Sequence, residues 1–267
     1  MGAGRAMDVE GYIAALEHEG RTLVEAARCA DPGAAVPTCP EWRVADLLGH
    51  IGYVHRWATR YVATALRETV AEPDEPTILK SAPPEAERCA WVAEGHASLV
   101  QALRSAPSDL VCWTFLPAPS PLAMWARRQA HETAVHRVDA ELGAGLAATP
   151  VDRILAADGI EELLFAFFGR PPRRRLQVPG GAVTIALGAT GLPRVAGVDP
   201  PDGWTVRVTE RVVSATRALE PGDVTVRGTA SDLYLLLWHR RPIDGLEVDG
   251  PRELFDQVWG PRGVTWG

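Results

Sequence analysis

The spacing of apolar side chains changes once along this chain, close to Ala148-Thr149-Pro150. Before that point apolar residues recur every three to four positions; beyond it, after one more helical stretch, short runs alternate every second residue. One layer of structure cannot serve both periods. The sequence therefore predicts two domains, a helical one over 1–149 and an α+β one over 150–267.

The helical half divides at its prolines. Asp8 to Ala30 carries Tyr12, Ile13, Leu16, Leu23, Val24 and Ala27 on one face. The loop DPGAAVPTCPEW closes that helix and leads into a second, from Val44 to about Leu66, with Leu47, His50, Ile51, Val54, Trp57, Ala58 and Tyr61 on one stripe. After the linker AEPDEPT a third runs from Pro84 to Leu103, and LPAPSP precedes a fourth from Pro121 to Leu146, whose proline is tolerated in the first turn. Four helices of about 20 residues joined by loops predict an antiparallel four-helix bundle.

In the second half, Val151 to Phe168 reads as a helix ending at Gly169 and the run RPPRRR. The segments LQV, AVTIAL, WTVRVTE, VVSATRAL and DVTVRG then read as strands between Gly, Pro and Asp turns. TASDLYLLLWHRRP has the signature of a helix capped by Thr229 or Ser231 and stopped by Pro242, and LEVDG and PRELFDQVW complete the chain. A mostly antiparallel sheet is expected.

Composition removes several functions. A net charge of −7 without a basic stripe argues against a nucleic-acid partner. No apolar run approaches the ~20 residues of a membrane span, and the N-terminus lacks the apolar core of a signal peptide, so the expected compartment is the cytoplasm. Cys29, Cys39, Cys89 and Cys112 form no CxxC pair and read as reduced thiols. Cys39, in the proline-bounded loop, has either a direct role or one in packing or capping. Only Lys80 is a lysine among 27 basic residues, a bias that globular physics does not demand and that fits a GC-rich genome.

The stretch AHETAVHRVDAE, Ala130 to Glu141, has the look of a zinc-protease HExxH with a displaced histidine. Helix geometry rejects that reading. Residues four apart lie about 40° apart around the axis and residues five apart about 140°. Glu132 and His136 therefore share a face, while His131 and His136 do not, and Asp139 continues the Glu132–His136 stripe. A third ligand must come from another helix, and His50, within the apolar stripe of the second, is the best candidate; His55 faces elsewhere. A His/Glu/His set leaves a fourth position open, as in catalytic sites, and suits Zn²⁺, with Ni²⁺, Mn²⁺ and Fe²⁺ compatible. The alternative is a hydrogen-bonded Glu/His pair beside a buried histidine.

VPTCPEWRVADLLGHIGYVHRW resembles the opening of the mycothiol-dependent maleylpyruvate isomerase family, whose N-terminal domain is a DinB-like metal-binding four-helix bundle. The family loop "VPxCPxW" corresponds to Val36, Pro37, Cys39, Pro40 and Trp42. The helix "DLLxHxxxxHxW" corresponds to Asp46, Leu47, Leu48, His50, His55 and Trp57. The later helix "ARxxxHExxVHxxD" corresponds to Ala126, Arg127, His131, Glu132, Val135, His136 and Asp139. AADGIEELL and GTASDLYLLLWHRRP are similar to the second domain, which is sterol-carrier-like, so the resemblance spans nearly the whole chain.

The resemblance implies His50, Glu132 and His136 as metal ligands, and mycothiol, the low-molecular-weight thiol of high-GC actinobacteria, as cosubstrate. A metal-bound thiol loses its proton and becomes a nucleophile for cis-trans isomerisation or S-transfer on a small electrophile such as an unsaturated dicarboxylate. Asp139 either orients a ligand histidine or pairs with an arginine. Arg240, favoured over Arg241, is expected to bind a carboxylate of substrate or thiol, the alternative being that both cap the preceding helix. Trp42 and Trp57 are candidate cleft walls, or core. Two other function classes stay open: a non-catalytic metal- or ligand-binding protein, and a metal-dependent hydrolase or lyase without a thiol. A monomer or weak homodimer is expected.

Overall fold

The computed structural model describes residues 7–71, 74–169, 175–192 and 203–261, which divide into two compact units, one over Met7–Thr149 and one from Pro150 onward. In the first, Asp8 caps helix α1 (Val9–Cys29) by accepting a hydrogen bond from Gly11 N at 2.8 Å. Helix α2 (Val44–Ala63) opens with the Asp46 carboxylate accepting from Arg43 N at 2.9 Å. Helix α4 spans Glu85–Ser105 and helix α5 Pro121–Gly143, the latter with Ser120 as cap and Pro121 in its first turn. The short helix α3 (Glu75–Ser81), capped by Asp74, occupies part of the segment expected to be a plain linker. Its capping residue sits inside a Pro/Glu run whose composition hides it.

The stretch expected to be a loop also carries structure. Strands β1 (Ala35–Val36) and β2 (Cys39–Arg43) form a small antiparallel hairpin, with Pro37 and Thr38 at its turn. The two residues of β1 are too few to show alternation, and the five of β2 do not alternate in burial. Val44 N donates to Ala34 O at 2.9 Å and so fastens the hairpin to the start of α2.

Helix α1 packs against α5 and α4, and α2 against α4 and α5. Cross-helix partners reveal their sense. His50 reaches Glu132 and Trp57 reaches Trp125, so α2 and α5 run antiparallel. Tyr12 faces His131 and Glu19 pairs with Arg137, so α1 and α5 run in the same direction. The two-domain α+β class is as expected, and within the bundle antiparallel and parallel neighbours alternate. The long α2–α4 connection permits this by returning the chain to the end from which α2 set out.

In the second unit, helix α6 (Arg153–Glu161) passes into a wider, π-helical turn at Glu162–Phe167, where the sequence pattern predicted one uninterrupted helix. Residues 170–174 of the RPPRRR run lie outside the described residues. Strands β3 (Ala182–Thr190), β4 (Gly203–Thr209), β5 (Val213–Thr216), β6 (Val224–Thr229) and β7 (Glu247–Asp249) form one sheet in the order β5-β4-β3-β6-β7. Among the described residues only the β3–β6 pairing is parallel. LQV, expected as a strand, is none; Leu176 merely donates its N–H to Glu210 O. Ile185, Leu187, Val206, Val208, Val224 and Val226 are buried, and helices α7 (Ala230–Leu237) and α8 (Arg252–Trp259) pack on this sheet. Thr229 rather than Ser231 caps α7, in a reciprocal pair with Asp232, while Ser231 Oγ accepts from Val151 N. Helix α7 ends before the expected stop at Pro242, because His239 takes a left-handed conformation at φ 58°. No described helix is long and apolar enough to cross a membrane.

Candidate metal centre

Helix α5 has no polar outer face. Arg128, Gln129, His131, Glu132, Thr133, His136, Arg137, Asp139 and Glu141 are all buried. Desolvating so many polar groups is tolerable only where they bond one another or a ligand. Part of the account is a local network in which Arg137 donates to Glu19 and Glu141 at 2.7 and 2.8 Å and to Thr149 O at 2.7 Å.

Several of the others converge on one point. His50 Nε2 of α2 lies 3.3 Å from Glu132 Oε1, and His136 Nε2 lies 3.2 Å from the same oxygen. The three ligand atoms all fall within 4.8 Å of one another, and all three residues are buried. Ligands held roughly 2.0–2.1 Å from a tetrahedral ion sit about 3.3 Å apart, so the two closest separations match the edges of such a site. Two imidazole nitrogens and one carboxylate oxygen are also the chemistry of a catalytic zinc set, so the residues fit a divalent ion. Burial pushes the Glu132 carboxyl upward, but hydrogen bonds from His136 and His50 and the nearby Arg128 charge outweigh it and hold the group well below the ordinary carboxylate range.

Surrounding groups decide which atoms face the centre. Arg128 Nη2 donates to Glu132 Oε2 at 3.0 Å, leaving Oε1 for the histidines. Of the two partners open to Asp139, the structure places it on the His136 ring: His136 Nδ1 lies 2.8 Å from Asp139 Oδ2. A carboxylate only accepts, so a ring proton is inferred on Nδ1, which leaves Nε2 as the atom that would turn its lone pair to an ion bound in the cluster. Thr38 Oγ1 donates to Asp139 Oδ1, and Cys39 Sγ lies 3.7 Å from Oδ2. The half-buried Trp42 packs its ring 4.8 Å from His50 and 5.8 Å from His136.

Within the first unit the other candidates lie apart from these three. His131 faces Tyr12 across α1, with ring centroids 6.4 Å apart, as turn geometry required. His55 bonds Thr133 Oγ1 at 2.9 Å and stands 5.6 Å from the His96 ring. Trp57 joins Tyr61, Trp113, Phe115 and Trp125 in an aromatic cluster. In the second unit, Arg240 Nη1 donates to Trp238 O at 2.8 Å, and Arg241 pairs with Asp232 and bonds Asp244 O. Sequence reasoning overlooked Arg128 and Thr38. Arg128 stands four residues before Glu132, so the same turn arithmetic would have found it; Thr38 carries no comparable signal, because the hairpin turn alone brings it to Asp139.

Comparison with known proteins follows the same outline. Residues 13–141 match the family model described as mycothiol maleylpyruvate isomerase N-terminal domain, and residues 155–257 match the corresponding C-terminal domain. Two solved structures share the fold, one of mycothiol-dependent maleylpyruvate isomerase and one of its histidine-to-alanine mutant. Each is 13% identical, and the matches cover 93% of this chain and 96% of the other, with TM-scores of 0.61 and 0.63. Comparison with curated proteins returned no match.

Proposed function

Because the chain belongs to the mycothiol-dependent maleylpyruvate isomerase family, we propose that it is a divalent-metal-dependent enzyme that activates mycothiol against a small unsaturated electrophile. The observation that carries this reading is the convergence of His50 Nε2, His136 Nε2 and Glu132 Oε1 inside the bundle. His50, Glu132 and His136 would hold the ion. When bound there, a divalent ion, zinc by donor chemistry, would supply the acidity that turns a thiol into a thiolate at neutral pH.

The chain's own residues do the rest. Asp139 keeps the His136 proton on Nδ1, and Arg128 keeps one Glu132 oxygen turned away from the cluster. Trp42, against both histidine rings, offers an apolar wall that excludes water from a thiol. Arg240 is assigned to a carboxylate of substrate or thiol, for which a planar guanidinium is suited. The thiolate sulfur adds to a carbon–carbon double bond conjugated to a carbonyl, leaving a single bond that rotates. Expelling the thiolate restores the double bond in the other geometry. Protonating the carbanion instead leaves the sulfur attached, which is S-transfer.

Elemental analysis and calorimetric titration of mycothiol into the zinc-loaded protein test this reading. One metal per chain and saturable thiol binding are expected. Stoichiometric metal with no binding at millimolar mycothiol would overturn the thiol and favour hydrolase or lyase chemistry. Absence of stoichiometric metal would overturn the site.

A further inference from the structure

The hairpin that precedes α2 touches the candidate centre from outside the two helices that supply its ligands. Thr38, at its two-residue turn, donates its hydroxyl to Asp139 Oδ1 across 101 positions of sequence. The other oxygen of Asp139 receives His136 Nδ1 at 2.8 Å. Asp139 is fully buried, whereas Thr38 and Cys39 are half-buried. A carboxylate on a short side chain can turn about two bonds. With Nδ1 on one oxygen and a hydroxyl on the other, both rotations are fixed. The ring plane of His136, and hence the direction of its Nε2 lone pair, inherits that fixation.

We propose that Thr38 is a positioning residue: through Asp139 it locks the orientation and tautomer of His136, so that a surface hairpin sets the metal affinity of a ligand buried in the bundle. This rests on the reading of His50, Glu132 and His136 as a metal site. The hairpin is well placed for the task. It is tied to α2 by the Val44 N to Ala34 O bond, and α2 carries His50. It also lays Trp42 against both histidines. One small element thus holds both histidine ligands in relation to each other.

The test uses the full chain and four variants: Thr38→Val, which keeps shape and removes the hydroxyl, Thr38→Ser, which keeps the hydroxyl, Asp139→Asn, and the double variant Thr38→Val/Asp139→Asn. Zinc affinity is read by competition with a chromophoric chelator. Outer partners of metal-bound histidines typically account for 10–100-fold in affinity. Asp139→Asn is expected within that range, Thr38→Val to weaken zinc by roughly 3–10-fold as a partial loss of the same support, and Thr38→Ser to restore it. The double variant should bind zinc no more weakly than Asp139→Asn alone, because Thr38 acts only through Asp139. Multiplying effects, or wild-type affinity in Thr38→Val, would overturn the inference. A second readout needs no metal: histidine ¹⁵N NMR of the apo chain should show the His136 Nδ1 proton exchanging faster in Thr38→Val and as wild type in Thr38→Ser. Unchanged exchange in Thr38→Val would also overturn it. Failure of the wild-type chain to take up zinc would instead sink the metal reading and leave the exchange result standing on its own.

Discussion

Helices α2, α4 and α5 build two histidine layers in one bundle, and the layers differ in one kind of partner. In the first, His50 and His136 face a carboxylate, with Asp139 behind one ring and Arg128 behind the carboxylate. In the second, barely more than a turn away, His55 has the Thr133 hydroxyl, and His96 has the Leu16 carbonyl at 2.9 Å. Burial pushes the pKa of both His55 and His96 down, so they are kept neutral. Buried histidines alone are thus a way of filling a core. It is the buried carboxylates, costly to desolvate, with Glu132 held charged by its neighbours, that make the first layer the candidate place for a cation.

The sharpest break between the layers is metal affinity. His50→Ala or Glu132→Gln should weaken zinc binding by more than about a thousandfold, well beyond the 10–100-fold typical of outer partners. His55→Gln should leave it within about twofold, as read by chelator competition. Loss of zinc affinity in His55→Gln would merge the two layers into one site. Next in size, Arg128→Gln frees the second oxygen of Glu132 and should cost roughly tenfold in zinc affinity, with metal stoichiometry unchanged in elemental analysis. An unchanged affinity would mean that Arg128 serves the fold rather than the ligand.

The smallest effect belongs to the second layer and concerns pH. Unfolded histidine titrates near 6.5, and folded His55 and His96 titrate below it. Between those values the unfolded chain binds more protons, so stability rises with pH, reaches its full value above about 6.5, and falls as pH drops below. The slope is at most about 1.4 kcal/mol per pH unit for each histidine. Thermal unfolding of the metal-free chain between about pH 7 and 5 should show it, and His96→Gln should flatten it. A slope untouched by His96→Gln and His55→Gln would contradict the view that these rings are held neutral.

How much of this was legible in the sequence follows from the range of the forces involved. The Glu132–His136 pairing is a matter of one helical turn and could be read from spacing alone. His50 lies 82 positions from Glu132, and only its place in an apolar stripe, with the family resemblance, singled it out. Helix starts were legible to within a residue at Asp8 and Pro121, and the structure supplies the caps there, Asp8 and Ser120. The hairpin was not, since β1 is too short for a period to form and β2 does not alternate, nor was the widened turn at Glu162–Phe167 within an otherwise helical pattern. Thr38 meets Asp139 only through tertiary folding, which no local pattern encodes.

The central claim is that the first layer binds a metal whose open position takes a thiol. Cobalt substitution followed by addition of mycothiol measures it most directly, because a thiolate bound to Co²⁺ produces a charge-transfer band in the near ultraviolet. One cobalt per chain and a band that saturates with mycothiol, both absent in His50→Ala, are predicted. Stoichiometric cobalt with no band at any mycothiol concentration, or cobalt uptake that survives His50→Ala, would contradict it.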